Sequence, residues 1–281
     1  MDLNLEQYVR QAKNGDRQAL ETIVCHIQDK IYGLALRMLN DPEDAEDEAQ
    51  EILIKVITHL SDFREESAFS SWVYRIACNH LLTTRSRKSE RMGMTFELLE
   101  ELAFAEPENA PHLTVSGPER DVILEETRLS CMQGVLACLE KEMRIVFILG
   151  DGYGVTSKEG AFILEITPET FRKRLSRGRK RMQNFMLKHC GLVDKKNTCR
   201  CHKSAARILE QGLTIPGKKS IIKKEVAAET RAETVAHLKE LAEIDRTVAM
   251  YRHYPGHHSP DSFTYIIKDL IDSGKFRVFS E

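Results

Sequence analysis

Three observations predict an all-α protein. Apolar residues recur at a spacing of three or four over long stretches, which is the period of an amphipathic helix. Proline occurs only eight times in 281 residues, and the sustained alternation typical of strands is hard to find. Several helix starts are marked by a capping residue followed by proline or acidic residues. We therefore expect two small helical domains joined by a linker, followed by a helical C-terminal extension.

The amino-acid composition indicates which broad class of protein this chain belongs to. With 42% hydrophobic and 30% charged residues, the chain has the balance of a soluble globular protein. No window approaches the roughly eighteen consecutive apolar residues of a spanning helix, and the polar start MDLNLEQYVRQAKNGD is unlike a signal peptide. We expect a cytoplasmic protein with no membrane segment. Seven scattered cysteines, an odd number, favour reduced thiols over a disulfide framework.

The N-terminal part contains two predicted helical segments. The first covers about Leu5 to Leu39, and the second begins at DPEDAEDEAQ. Here Asp41 is a suitable N-cap, Pro42 fits the first helical position, and acidic residues crowd the positive end of the helix dipole. Apolar residues at positions 45, 49, 52, 56 and 60 predict a buried face. The opposite face carries Asp47, Gln50 and Glu51.

A third helix is predicted over FSSWVYRIACNHLLTTRSRK, residues 69–88. Its buried stripe would contain Phe69, Trp72, Val73 and Ile76, with Tyr74, Arg75, Asn79 and His80 toward solvent and Arg85 in a basic tail. Interleaved aromatic and basic residues suit single-stranded nucleic acid, because bases stack on rings and phosphates meet cations. The alternative is that Trp72 is only a core residue and the basic tail only a solvated surface.

Residues 92–120 predict a linker, because they lose the helical period and gain acids, proline and a Ser-Gly-Pro turn. A short helix is expected at FELLEELAF, and a second helical module from about Asp121 to Cys190.

Charge is segregated along the chain: Met1 to Phe63 has thirteen Asp and Glu against six Lys and Arg, whereas Val155 to Lys188 has nine Lys and Arg against three Glu. The net charge of −2 therefore hides a local basic footprint suited to nucleic acid.

The basic region has the pattern of two short helices joined by a turn. Thr156, followed three residues later by Glu159, is a capping-box signature, and this helix can run only to about Leu164. Thr167 is then the N-cap of a second helix, with Pro168 as its first residue. Ala161 is small enough for the helix crossing and Ile166 plugs the turn. The pattern indicates a helix-turn-helix.

The period of the second helix separates an inner from an outer face. The inner face contains Phe171, Leu175, Gly178, Met182 and Phe185. Glu169, Lys173, Ser176 and Lys180 lie opposite, flanked by Arg172 and Arg177. A recognition helix reads base edges with its N-terminal turns and meets phosphates with later basic residues. A merely basic surface helix would leave the short turn and the two caps unexplained.

From about Asp16 to Phe185 the sequence resembles a bacterial RNA polymerase sigma factor of the extracytoplasmic-function (ECF) type, within the sigma-70 family. The resemblance rests on DPEDAEDEAQEILIKV, FREESAFSSWVYRIACNHL, LACLEKEMRIVFILGDGYGVTSKE and the helix-turn-helix, in this order and spacing. It implies a region 2 domain over residues 1–91, a linker over 92–120, a region 4 domain over 121–190 and an extension over 191–281.

The resemblance also implies partners and residue roles. Contact with the coiled coil of the largest subunit of core RNA polymerase is expected from Asp47, Gln50 and Glu51, with the polymerase flap as a further contact of the protein. Minus-10 recognition and melting are expected from Trp72, Tyr74, Arg75, Asn79 and Arg85, with the loop Phe63 to Phe69. Minus-35 recognition is expected from Thr167, Glu169, Thr170, Arg172, Lys173, Ser176 and Arg177. The acidic linker would run toward the active-site cleft, and an anti-sigma factor is a candidate partner.

Two residues depart from the family pattern. Gly160 stands where the family usually has a large aliphatic residue, and Glu165 stands where the turn usually has glycine. Glycine inside a helix costs about 1 kcal/mol relative to alanine. A glutamate at a position that needs positive φ adds backbone strain. The sequence therefore predicts a weakly held first helix of the helix-turn-helix.

The C-terminal extension opens with the cysteine cluster CGLVDKKNTCRCHK. Three thiolates and an imidazole, from Cys190, Cys199, Cys201 and His202, would suit tetrahedral zinc. The spacing lacks the two-residue knuckle typical of structural zinc sites, so redox-sensitive thiols and plain reduced cysteines stay open as alternatives. Helical patterns place the other four cysteines in the core: Cys25, Cys78, Cys131 and Cys138.

The rest of the extension predicts a long helix at about 226–252, a turn with His253, His257 and His258, and a last helix near 261–273. The sequence does not decide whether this tail folds back on the second domain or docks on the polymerase.

These observations predict a transcription initiation factor rather than an enzyme. A stand-alone helix-turn-helix regulator is the main alternative, but it leaves the acidic helix and the aromatic-basic helix without roles. A nucleic-acid enzyme is disfavoured, because no carboxylate, Cys/His or phosphate-loop constellation converges in the sequence.

Overall fold

The computed structural model describes residues 5–84, 94–101, 114–210 and 259–260. The regular elements in these ranges are helices, as predicted. They are α1 (Leu5–Lys13), α2 (Arg17–Leu39), α3 (Pro42–Thr58), a 3₁₀ turn (Leu60–Asp62), α4 (Phe69–Thr83), α5 (Phe96–Leu99), α6 (Pro118–Ala137), α7 (Lys141–Phe147), a π-helical turn (Ile148–Gly152), α8 (Ser157–Leu164), α9 (Pro168–His189) and α10 (Cys201–Glu210). None of these helices has the length and apolarity to cross a membrane. The two helices and the His-rich turn predicted beyond residue 225 lie outside the described ranges.

The first predicted segment is two helices rather than one. α1 ends at Lys13, and Gly15 adopts a φ of 91° in the turn that follows. Asp16 then caps α2, because its side chain accepts a hydrogen bond of 3.0 Å from the backbone N–H of Ala19. The prediction missed this break, although Asn-Gly-Asp is a sequence typical of a turn followed by an N-cap.

α3 forms as the sequence predicts. The Asp41 carboxylate accepts from the backbone N–H groups of Glu43 and Asp44 at 3.0 and 3.1 Å, and Pro42 is the first helical residue. Both α3 and α1 pack against α2. The residues predicted for the inner face are all buried: Ala45, Ala49, Ile52, Val56 and Leu60.

α4 is shorter than predicted and its buried stripe is shifted. Phe69 and Val73 are buried as expected, whereas Trp72 is half-buried against the rings of Phe63 and Phe69, at 5.5 and 5.7 Å between centroids. Ile76, also predicted for the stripe, is half-buried as well. The short helix of the linker is confirmed as α5, which covers only part of the predicted segment.

His80, expected toward solvent, instead hydrogen-bonds to α3. Its Nε2 contacts the carboxylate of Glu48, and its Nδ1 lies 2.5 Å from Nζ of Lys55. The prediction was wrong because the polar face of α4 at this position meets the polar edge of α3.

A buried guanidinium joins the two halves of the chain. Arg144 on α7 donates to the backbone carbonyls of Met38 at the end of α2, Ala137 at the end of α6 (2.5 Å) and Leu139 (2.9 Å). Nearby, Nε2 of Gln133 donates to the carbonyl of Leu36 at 2.7 Å. Burial lowers the pKa of Arg144 to about 10. The buried apolar residues on both sides of this junction belong to one contiguous core.

The predicted helix-turn-helix is present with its predicted caps. The hydroxyl of Thr156 accepts from the N–H of Glu159 at 3.3 Å, and the hydroxyl of Thr167 accepts from the N–H of Thr170 at 3.1 Å. Glu165 ends α8 with a φ of 53°, the positive φ expected of this turn. The predicted inner face of α9 is buried at Phe171, Gly178, Met182 and Phe185, and half-buried at Leu175.

Of the four cysteines predicted for the core, Cys78 and Cys138 are buried and Cys131 is half-buried. The prediction was wrong for Cys25, which is exposed on α2. Burial raises the pKa of Cys138 to about 12, so this thiol is protonated at neutral pH.

Gly160 is required by packing and does not mark a weakly held helix. A Cβ atom at this position would lie 2.2 Å from the ring of Phe171, which is completely buried under α8. The absence of a side chain at residue 160 therefore lets the Phe171 ring reach the α8 backbone. This contact between the Phe171 ring and the α8 backbone offsets the low helix propensity of glycine.

Gly160→Ala is expected to lower the free energy of unfolding by about 1–3 kcal/mol, because the buried ring has no room to move away. Gly178→Ala on α9 is the matched control, since its Cβ would meet its nearest neighbours at an ordinary 3.8 Å. The control is expected to be neutral or to stabilise the protein by up to about 1 kcal/mol. Urea unfolding of both variants measures the difference, and equal stabilities would contradict this account of Gly160.

Candidate nucleic-acid interface

The outer face of α9 presents polar and basic side chains to solvent in its first three turns. Because Thr167 and Pro168 determine where the helix begins, they also determine which residues share this face. We call the exposed residues of this face the α9 face: Glu169, Arg172, Lys173, Ser176, Arg177 and Lys180. The prediction that these residues lie opposite the buried face is confirmed.

Side chains of the α9 face form only weak contacts with one another. Nζ of Lys173 lies 2.7 Å from Oε1 of Glu169, and both side chains are about two-thirds exposed, so solvent screens the pair. The hydroxyls of Thr167 and Thr170 are 2.8 Å apart. Arg172 reaches the hydroxyl of Ser157 at 3.5 Å. These contacts can exchange for bonds to a ligand at small cost.

Besides Lys173, two of the seven cations between Ile166 and Met182 form ion pairs with acidic residues outside α9. The guanidinium of Arg179 donates two hydrogen bonds to the carboxylate of Asp151, at 2.6 and 2.8 Å. The Asp151 side chain is completely buried, so this pair anchors α9 to the π-helical turn. Arg181 contacts Glu140 at 3.2 Å. The position of Asp151 within the apolar run FILGDGYG was a sequence signal for a buried, paired carboxylate that the prediction did not use.

The aromatic-basic face of α4 is covered by the segment around α8. Tyr74 was expected in solvent but is half-buried, because its ring stacks on Tyr153 at 5.5 Å between centroids. The guanidinium of Arg75 binds the carboxylate of Glu165 and lies 5.2 Å from the ring centre of Phe162. Burial raises the pKa of Tyr74 above its usual range.

Further bonds hold α8 and the preceding turn on the first half of the chain. The hydroxyl of Ser71 on α4 donates to Oε1 of Glu159 at 2.8 Å. The guanidinium of Arg37 donates to the hydroxyl of Tyr153 at 2.9 Å and lies 5.2 Å from the centre of its ring. Sequence reasoning missed these contacts, because their residues are more than eighty positions apart and no local pattern joins them.

The remaining predicted minus-10 residues differ in their surroundings. Asn79 is exposed on α4, whereas Trp72 is half-buried and its ring packs against the rings of Phe63 and Phe69. Arg85 lies outside the described residues. Trp72, Tyr74, Arg75 and Asn79 therefore all lie on α4. Tyr74 contacts the turn before α8, and Arg75 contacts α8 and the residue that ends it.

The acidic face of α3 is separate from the basic face of α9. Asp47 and Glu51 are exposed and Gln50 is half-buried, and the three residues lie within about one turn of the helix. Their neighbour Glu48 differs, because it pairs with His80 of α4. The three residues predicted to contact the polymerase therefore lie at least partly open to solvent on α3.

At the end of α9, Cys190 is buried, and Cys199, Cys201 and His202 are half-buried. Among the described residues, no three His, Cys, Asp or Glu side chains are arranged as a ready-made metal site.

Asp151→Asn is expected to lower the free energy of unfolding by about 2 kcal/mol, because the bonds between a buried carboxylate and a guanidinium are replaced by weaker ones. Glu169→Gln is the matched control for the exposed pair and is expected to change stability by about 0.5 kcal/mol or less. Urea unfolding at neutral pH tests both. A loss as small in Asp151→Asn as in the control would show that this pair does not anchor α9.

Two family models match separate parts of the chain. Residues 23–91 match the family Sigma-70 region 2, and residues 129–182 match Sigma-70, region 4. The RNA polymerase sigma-H factor of Pseudomonas aeruginosa is 32% identical over 177 residues, which cover 62% of this chain and 89% of that protein. The ECF RNA polymerase sigma factor SigW of Bacillus subtilis is 32% identical over 186 residues, covering 65% and 97%. A solved structure of CnrH in complex with the cytosolic domain of CnrY aligns at 19% identity over 64% of this chain and 95% of that one, with a TM-score of 0.46. On the identity and coverage of the two curated relatives, the chain belongs to the ECF family of sigma-70 RNA polymerase sigma factors.

Proposed function

We propose that this sigma factor binds core RNA polymerase and directs promoter-specific transcription initiation through three separate surfaces. The α9 face reads the minus-35 element, the aromatic-basic face of α4 captures and opens the minus-10 element, and the acidic face of α3 contacts the polymerase. Residues 1–91 and 121–190 would act as the region 2 and region 4 domains, residues 92–120 as the linker between them, and residues 191–281 as an extension.

The observation that carries this proposal is the α9 face. It is exposed, basic and set in phase by a capped and proline-initiated start, immediately after a turn of a few residues. Such a helix enters a major groove with its first turns against base edges and its later cations against phosphates.

Within the α9 face, the roles follow from position. Glu169 and Lys173 project from the first and second turns, so a carboxylate can accept from a cytosine amine and an ammonium can donate to guanine. Thr167, Thr170, Arg172, Ser176 and Arg177 surround them and would contact phosphates or neighbouring bases. Lys180 lies a turn farther along and would contact phosphate only.

On α4, Trp72, Tyr74 and Asn79 supply two rings and an amide for an unstacked base, and Arg75 supplies a cation for the strand backbone. Arg85 would extend this basic surface. Because Tyr74 and Arg75 contact Tyr153, Phe162 and Glu165, DNA can reach them only after α8 has moved off α4. Opening of this contact would therefore accompany promoter binding.

The ion pair that closes the edge of the contact between α4 and α8 is partly exposed. The side chains of Arg75 and Glu165 are 38% and 54% exposed, so their ion pair exchanges readily for phosphate contacts. The minus-10 phosphates would replace Glu165 as the anionic partner of Arg75.

The acidic face of α3 would bind the coiled coil of the largest polymerase subunit through Asp47, Gln50 and Glu51, and the region 4 domain would contact the flap. A cytoplasmic location and an anti-sigma partner agree with this function. None of the three surfaces uses a cofactor, so zinc at Cys190, Cys199, Cys201 and His202 stays a separate proposal.

Transcription from a library of duplex promoters with core polymerase, with and without this protein, tests the proposal. We expect initiation that depends on the protein and selects two sequence elements at a constant spacing. Tight binding to duplex DNA without any initiation would indicate a stand-alone helix-turn-helix regulator instead.

Glu169→Ala and Lys173→Ala are each expected to relax base preference within the minus-35 element by about 1–3 kcal/mol, because each removes one base-edge contact. The matched control is Lys180→Ala, which should weaken promoter binding almost uniformly across sequences and reduce its salt dependence. Selection from a randomised minus-35 library measures both effects. An unchanged sequence preference in both Glu169→Ala and Lys173→Ala would contradict the assignment.

Trp72→Ala is expected to reduce initiation from duplex promoters by about tenfold or more, since stacking on an aromatic ring contributes about 1–3 kcal/mol per base. A template already opened across the minus-10 element should restore most of the activity, because the remaining defect is in melting. Trp72→Phe, which keeps a ring, is the matched control for folding and stacking. Normal permanganate reactivity of the Trp72→Ala complex on duplex DNA would rule out a role in melting.

A further inference from the structure

The loop that precedes α4 is held by two cations of α1. We call residues 64–68 the α4 loop, because they join Phe63 to the first residue of α4. The guanidinium of Arg10 donates to both oxygens of the Glu65 carboxylate, at distances of 2.6 to 3.2 Å. Nζ of Lys13 donates to the carbonyl of Phe63 at 2.6 Å. These partners are 55 and 50 positions apart in the sequence, so no local pattern predicts the contact.

The backbone of Glu65 needs such a contact. Its φ is 58°, in the left-handed region that residues other than glycine rarely adopt. A conformation of this kind persists where surrounding contacts hold it. The guanidinium and the carboxylate make parallel hydrogen bonds, which fit in one relative orientation and therefore determine where Glu65 lies. The hydrogen bonds from Arg10 also lower the pKa of Glu65, so its carboxylate is ionised at neutral pH.

The elements on both sides of this contact belong to the core. Phe63 and Phe69 are buried with their ring centroids 5.3 Å apart, and Trp72 packs on both rings. On α1, Val9 and Ala12 are completely buried. Arg10 and Lys13 therefore connect a helix that is anchored in the core to a loop whose two ends are anchored there as well.

Between its anchored ends, the α4 loop presents polar side chains to solvent. Arg64 and Glu66, on either side of Glu65, are exposed, and Ser67 is half-buried. A guanidinium, a carboxylate and a hydroxyl can donate to and accept from the edge of an unstacked base. Trp72 follows in the first turn of α4, so a ring for stacking lies close along the chain.

We infer that Arg10 and Lys13 are positioning residues, which hold the α4 loop in the shape that accepts an unstacked base of the minus-10 element. This inference rests on the proposed role of α4 at the minus-10 element and adds the helix that shapes the loop beside it. A loop that is ordered before binding loses less conformational freedom when the base enters. It also keeps its polar groups at constant positions, which base selection requires. Neither cation has to contact DNA in this role.

Limited digestion of the free protein with trypsin tests whether the two cations hold the loop, because cleavage after Arg64 requires the loop to open locally. Arg10→Met is expected to speed this cleavage by up to about fivefold, the effect of an exposed ion pair. Lys13→Met, which keeps the aliphatic stem, is expected to speed it by about tenfold, because a charged donor to a carbonyl is stronger.

Arg17→Met is the matched control for the digestion, because it removes an exposed cation from the first turn of α2 instead. Cleavage after Arg64 should then proceed as in the unaltered chain. An unchanged rate of cleavage in both Arg10→Met and Lys13→Met would overturn the inference. Urea unfolding of each variant separates local opening of the loop from loss of the whole fold.

Transcription with core polymerase tests whether the shape of the loop matters for the promoter. The double variant Arg10→Met, Lys13→Met is expected to reduce initiation from duplex promoters by about tenfold, in proportion to the lost population of the ordered loop. It should also lose base preference in a library randomised across the minus-10 element. Preference in a library randomised across the minus-35 element should stay unchanged, because the α9 face is intact.

Two further variants separate the ion pair from the backbone conformation. Glu65→Asn keeps a residue that tolerates positive φ but removes the carboxylate, so it should lose minus-10 preference as Arg10→Met does. Arg10→Glu combined with Glu65→Arg reverses the pair and should regain part of the preference that each single change loses. Normal minus-10 preference in Glu65→Asn and in the double variant would overturn the inference alone. Failure of the unaltered chain to initiate would instead contradict the proposed function, and this inference with it.

Discussion

The fold depends on one buried cation, the guanidinium of Arg144, which has three backbone carbonyls as partners. These carbonyls belong to Met38 at the end of α2 and to Ala137 and Leu139 around the end of α6. The ends of two helices carry partial negative charge, so they stabilise a cation that burial would otherwise make costly. Although burial lowers the pKa of Arg144 to about 10, the side chain stays charged at neutral pH. The junction therefore holds the first half of the chain against the second.

This junction has a consequence for the proposed DNA surfaces. It brings the segment from Tyr153 to Glu165 onto α4, where Tyr153 stacks on Tyr74 and Glu165 pairs with Arg75. Glu165 thus has a role that the glycine usual at this turn could not provide, and its positive φ is the conformational cost of that role. The α9 face stays exposed in the same arrangement. The packing that stabilises the isolated chain therefore covers Tyr74 and part of Arg75 on the proposed minus-10 surface and leaves the proposed minus-35 surface open.

Local features were predictable from the sequence, and long-range contacts were not. The caps at Asp41, Thr156 and Thr167 and the two faces of α9 follow from short patterns, and the structure confirms them. The prediction that Tyr74 faces solvent was wrong and the packing role of Gly160 was missed, because both depend on residues in other elements. Gly160 is explained only by the Phe171 ring, and Tyr74 only by Tyr153. The roles proposed for residues that would contact DNA or polymerase rest on the family to which the chain belongs and on the exposure of those residues.

The contact between α4 and α8 is closed in the isolated protein, and we expect it to open on the promoter. Energy transfer between fluorophores at two exposed residues, Thr83 on α4 and Lys158 on α8, measures this directly when they are introduced as unnatural amino acids. We expect efficient transfer in the free protein and a marked loss in a complex with core polymerase and promoter DNA that initiates transcription. Unchanged transfer in such an active complex would contradict it.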